Sequence, residues 1–159
     1  MSMHNWFECK IRYEKVMENG MQKKVTEPYL VDALSFTEAE ARIIEEMTPF
    51  ITGEFTVSDI KRANYSELFP SDEESADRWF KCKLIFITLD EKSGAEKKTS
   101  TQVLVQAADL RDAVKKLDEG MKGTMADYQI GMVSETPLMD VYPYSAEPND
   151  KPEFDPSKA

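Results

Sequence analysis

Trp6-Phe7-Glu8-Cys9-Lys10-Ile11 returns further along the chain as Trp79-Phe80-Lys81-Cys82-Lys83-Leu84. Outward from this pair the matches continue in order. Gly20, Lys23 and Lys24 fall on Gly94, Lys97 and Lys98, and Leu30-Val31-Asp32-Ala33 falls on Leu104-Val105-Gln106-Ala107. Ala39, Ile43, Glu45 and Met47 then fall on Ala113, Leu117, Glu119 and Met121, and Leu68-Phe69-Pro70 on Val141-Tyr142-Pro143. Ordered matches, with one extra residue in the second hairpin and one fewer after the second helix, read as a tandem duplication, with repeats at 6–70 and 79–143. Solenoid repeats are shorter and need about three copies, so two copies predict a pseudo-two-fold arrangement instead.

Each repeat reads as β-β-α-β. Phe7, Cys9, Ile11 and Tyr13 alternate with Glu8, Lys10 and Arg12, the period of a half-buried strand. Asn19-Gly20 predicts a type I′ hairpin turn, because both residues tolerate positive φ. A second strand carries Tyr29, Val31 and Ala33 on one face. Ser35-Phe36-Thr37-Glu38 fits a capping box, in which hydroxyl and carboxylate satisfy free helix N–H groups. Phe36, Ala39, Ile43 and Met47 follow at helical spacing. The second helix starts at Asp109 with Asp112 and carries Leu110, Ala113, Leu117 and Met121. Third strands begin near Phe55 and Tyr128, and short extended pieces around Leu68 and Val141 close each unit. The fold class is therefore α+β, two antiparallel sheets with one helix each. Whether the sheets join edge to edge or pack face to face is open at this point. An acidic linker, 71–78, joins the repeats, and the Pro-containing polar tail, 144–159, is expected to be disordered.

The composition, 41% hydrophobic and 31% charged over 159 residues, suits one globular domain or two small ones sharing a core. No apolar run approaches the roughly 18 residues of a membrane span. Residues 1–5 show neither a basic n-region nor an apolar h-region, so a cytoplasmic protein without membrane association is expected. The net charge of −10 repels nucleic-acid phosphates at long range. Nucleic acid is thereby disfavoured as a partner, though a local basic patch keeps it open.

Familiar chemistries are sparse. Cys9 and Cys82 lie in phase with the apolar strand positions and read as packed thiols, because reactive cysteines sit in exposed electropositive sites. Two thiols make no structural zinc site within one chain, and a cytosolic disulfide is not expected. The single histidine, His4, is all that a catalytic triad or a histidine metal site has to build on. Glu38, Glu40, Glu45 and Glu46 form an ordinary solvated helix face. Gly120-Met121-Lys122-Gly123 spells the G-x-x-G with which KH domains clamp nucleotides, but glycines ending a helix explain it more simply. No catalytic residue, metal ligand or cofactor is assigned.

Trp6 and Trp79 fall opposite the Phe/Cys phase. Trp6 then shares its face with Lys10 and Arg12, and Trp79 with Lys81, Lys83, Ile85 and Ile87. Aromatics beside lysines on a sheet are how single strands are stacked and held. An apolar patch such as Ile85 and Ile87 more often marks an interface. These eight residues are the candidate interaction surface, with burial between repeats or between subunits favoured for the tryptophans.

Four segments resemble the domain-of-unknown-function family numbered 4494, of Bacteroidetes-type bacteria and their phages. They are the Trp-Phe-x-Cys-Lys start, Asp77-Arg78-Trp79-Phe80-Lys81-Cys82-Lys83, Met121-Lys122-Gly123-Thr124-Met125 and Asp140-Val141-Tyr142-Pro143-Tyr144. The resemblance brings no activity and implies a phage or mobile-element setting. The hairpin followed by Val31-x-Ala33-x-Ser35-x-x-Glu38-Ala39 is also similar to the ββαβ unit of the archaeal ribosomal LX family, a likeness of fold alone. Together these readings give a non-enzymatic interaction or adaptor module whose partner is a protein, either a second copy or a host or phage protein. The alternative is a single-stranded nucleic-acid binder using the Trp/Lys faces.

Overall fold

The fold is that of a computed structural model describing residues 5–143, so His4 and the tail 144–159 lie outside the described residues. In chain order the elements are β1 (Trp6–Val16), β2 (Gln22–Asp32), α1 (Phe36–Met47), β3 (Phe55–Ala63), β4 (Glu67–Phe69), β5 (Arg78–Leu89), β6 (Glu96–Ala107), α2 (Leu110–Gly120), β7 (Asp127–Glu135) and β8 (Asp140–Tyr142). They form two compact units, 5–63 with 140–143, and 64–139.

In the first unit the sheet order is β3-β1-β2-β8. Phe7, Cys9 and Ile11 of β1 lie directly opposite Val31, Tyr29 and Glu27 of β2, which places them all on one face. Helix α1 lays Ala39, Ile43 and Met47 onto that face to make the core. The second unit has the order β7-β5-β6-β4. There Phe80, Cys82 and Leu84 face Val105, Val103 and Thr101, and α2 adds Ala113 and Leu117. Both third strands carry a bulge at one place: the register shifts between Lys10 and Ile11 against β3, and between Lys83 and Leu84 against β7.

Both helices start as their caps require. Ser35 Oγ accepts from the Glu38 N–H at 3.1 Å, and Asp109 Oδ1 from the Asp112 N–H at 2.8 Å. The reciprocal carboxylates reach one residue further back than a standard capping box, to the N–H of Leu34 and of Ala108. Phe36 and Leu110, expected in the buried stripes, are exposed. As first helical residues they overhang the margin of the stripe, and Phe36 meets Phe7 only edge-on, with ring centroids 4.9 Å apart.

The Asn19-Gly20 turn is longer than expected. Met17 N–H bonds the Met21 carbonyl at 2.8 Å, enclosing three residues of which Gly20 takes a φ of 83°. Such three-residue loops need one left-handed position, which glycine supplies without steric cost.

Neither sheet is purely antiparallel. β8 runs parallel to β2, pairing Leu30 with Val141, and β4 runs parallel to β6, pairing Leu104 with Leu68. The compact units consequently do not share the boundaries of the segments 6–70 and 79–143 matched in the sequence. β4, near the end of 6–70, completes the sheet of β5–β7, and β8, near the end of 79–143, completes the sheet of β1–β3. Connector length is the cause. β2 and β3 are both antiparallel to β1, hence parallel to each other. A strand closing the β2 edge in parallel would have to return along the whole sheet from the end of β3, and such crossovers take a dozen or more residues. Only residues 64–66 separate β3 from β4, and only 136–139 separate β7 from β8.

Candidate functional site

The residues that face away from the helices divide into a closed part and an open part. At the closed end Trp6 and Trp79 are 2% and 5% exposed, and Leu30 and Leu104 on the neighbouring strands are also buried. Neither indole belongs to a helix-side core cluster. Burial leaves no open ring face on either tryptophan for a base to stack on. Of the basic candidates, Arg12 and Lys83 are exposed, while Lys10 and Lys81 are half-buried. Trp6, Lys10 and Arg12 share one sheet, and Trp79, Lys81, Lys83, Ile85 and Ile87 share the other.

The open part of the second sheet differs in character from the same positions of the first. Lys83 lies beside Met132, Ile85 beside Gln129, and Ile87 beside Asp127 on β7. On the β6 side Lys83, Ile85 and Ile87 lie beside Gln102, Ser100 and Lys98. Ile85 and Ile87 are half-buried, whereas Met132 and Leu89 are 40% and 69% exposed. Gly131, the extra residue of the bulge, makes room for Ile85: a Cβ there would meet the Ile85 Cδ1 at 2.9 Å. In the first sheet the matching positions of β1 are Lys10, Arg12, Glu14 and Val16, and Asp59 stands beside Lys10. One backbone frame thus carries charge in one unit and an apolar strip edged by lysines in the other.

The thiols are inert by placement. Burial pushes Cys9 up to about 12, with the Glu8 and Asp59 carboxylates adding to it, and pushes Cys82 up to about 11. The G-x-x-G segment ends α2. Gly120 is its last residue, and Gly123 takes the left-handed φ of 88° common after helices. Among the described residues no group of three or more His, Cys, Asp or Glu gathers as a metal site, and no helix is long and apolar enough to cross a membrane.

Two clusters escaped the sequence reading. Glu27 lies in the helix-side row of β2, opposite Ile11, and accepts from the Tyr13 hydroxyl at 2.9 Å and the Tyr29 hydroxyl at 3.3 Å, with Lys15 at 3.6 Å. Burial first, then the Glu27 carboxylate, pushes the Tyr13 phenol up to about 12. A carboxylate in phase with Tyr29 and Val31 was the available signal. The other cluster centres on α2, where Lys116 donates to Asp112 and Glu73 at 2.9 Å and to Ser71 Oγ at 3.2 Å. The linker is thereby docked on its unit, helped by the Ser71 N–H to Gln106 Oε1 at 2.9 Å and by buried Ala76. The cleft of about 710 Å³ bordered by Ser71, Glu73 and Lys116 is the flank of this docking, with its lysine already engaged.

The family model described as "Domain of unknown function (DUF4494)" matches residues 5–144. No curated protein and no solved structure matches the chain.

Proposed function

The chain belongs to the DUF4494 family, a family of unknown function, and we propose from its own surface that it is a non-enzymatic interaction module, built by tandem duplication and acting in the cytoplasm. Duplication is supported by the equal strand orders, the bulges at one register and the paired caps. The observation that carries the functional reading is the strip Ile85, Ile87 and Met132 beside Lys83, apolar where the matching positions of the first unit, Arg12, Glu14 and Asp59, are charged. A duplicated frame keeps its core by packing, whereas an open apolar strip on one copy has a cost in water unless a partner covers it. Lysines at its rim suit a protein partner with an acidic border around an apolar centre. The nucleic-acid alternative is weakened by the buried indoles and rests on the lysines alone.

A photo-crosslinking residue at position 87, compared with one at position 14 on the first unit, tests this in the host cell. A discrete protein adduct at 87 and none at 14 is the expected result. Nucleic-acid adducts at 87 would favour the alternative, and equal labelling at both positions would remove the case for the strip.

A further inference from the structure

The closing strands follow one pattern. Val141-Tyr142-Pro143 and Leu68-Phe69-Pro70 each place an aliphatic residue over a buried leucine, Leu30 or Leu104, and then an aromatic residue on the helix side. Tyr142 stacks on Tyr29 with ring centroids 6.2 Å apart. Phe69 lies against Gly120, where an added Cβ would meet its ring at 3.0 Å. The proline has no N–H to continue the ladder, which stops each strand at three residues. Just beyond it a helix cation takes hold: Arg42 donates to the Pro143 carbonyl at 3.2 Å, and Lys116 to Ser71 Oγ at 3.2 Å.

The connectors 64–66 and 136–139 are too short for either strand to close the sheet it follows. One repeat by itself therefore has an open acceptor edge and a closing strand with nowhere to go. We propose that the β2 edge at Tyr29–Val31 and the β6 edge at Val103–Val105 are strand-acceptor sites through which one repeat recognises another as a separate molecule. The occupant of each edge is the closing strand of the other repeat, β8 on β2 and β4 on β6, each reading aliphatic, aromatic, proline. Main-chain pairing supplies the attraction, and the aromatic and the cation supply the selectivity. The linker adds only local concentration. The identity of the partner rests on the duplication reading; the measurement below does not.

A protease site inserted between Glu74 and Ser75 of the full chain, cut under native conditions, tests the idea. The two pieces are expected to co-elute as a one-to-one complex. They are also expected to re-form it after joint unfolding and refolding, and to do so with pieces from a second, size-tagged preparation. In the cut chain Phe69→Asp with Tyr142→Asp should weaken the complex by about 100-fold, a factor of ten per strand. Retained protection of Cys9 and Cys82 in the uncut double variant shows that it still folds. Wild-type pieces that separate on cutting, or tagged pieces that form no hybrid, would overturn the proposal. So would a folded double variant that binds as tightly as wild type.

Discussion

Cys9 and Cys82 have their sulfurs sealed under the helices, each 4.0 Å from the carbonyl two residues before it. With the thiols held at about 12 and about 11, an alkylating reagent at neutral pH finds almost no thiolate until the units open. Both should label at the rate of unfolding; fast labelling of the native chain would contradict the packing. The same shifts set a pH dependence. The thiols ordinarily titrate at 9.0, and the Tyr13 and Tyr142 phenols, which burial pushes up to about 12, at 10.0. As pH rises past about 9 the unfolded chain loses these protons first and holds fewer than the folded chain, so stability falls. The urea midpoint should therefore drop between pH 8 and about pH 11, and Cys9→Ala should flatten that drop. Glu27→Ala, which strands two tyrosine hydroxyls, should cost about 1–3 kcal/mol in urea unfolding.

At the level of elements, the helices depend on their caps and the closing strands on the space left for them. Ser35→Ala and Asp109→Ala should each cost about 1 kcal/mol, read from thermal unfolding, because each leaves a helix N–H without its acceptor. The two glycines that meet side chains should behave differently. At Gly120 an added methyl would meet several atoms of the Phe69 ring at 3.0 to 3.2 Å, and the ring can give way only as a whole, so Gly120→Ala should loosen β4 and raise amide exchange at Val103–Val105. At Gly131 the methyl meets the free end of Ile85, which can change rotamer, so Gly131→Ala should leave exchange on β5 near wild type. Equal effects at the two positions would mean that local space does not decide them.

For the molecule as a whole, the two tryptophans and the apolar strip should separate stability from interaction. Trp6→Ala and Trp79→Ala remove large side chains from buried positions, and each should cost about 3–5 kcal/mol in chemical unfolding. Met132→Lys changes a side chain that is 40% exposed and should leave stability within about 0.5 kcal/mol while abolishing the adduct at position 87. A Met132→Lys chain that is strongly destabilised would return the strip to an ordinary part of the packing.

The sequence by itself determined what depends on local order. Alternating Phe7, Cys9 and Ile11 could only be a strand with one buried face, Ser35 and Asp109 could only open helices, and the matches between 6–70 and 79–143 were legible residue by residue. Of the eight candidate residues, three lie on β1 and five on β5, in two different sheets, and phase did not give their exposure, because it fixes a face and not what covers it. Trp6 and Trp79 became buried anchors, Arg12 and Lys83 stayed exposed, and Lys10, Lys81, Ile85 and Ile87 became half-buried, with Met132 joining Ile85 and Ile87 from a strand far along the chain. Tertiary structure alone decided the partners of β4 and β8. Three residues carry too little pattern to name the edge they will join. That choice was made by the short connectors and by the direction of strands paired across long stretches of chain, which no local window contains.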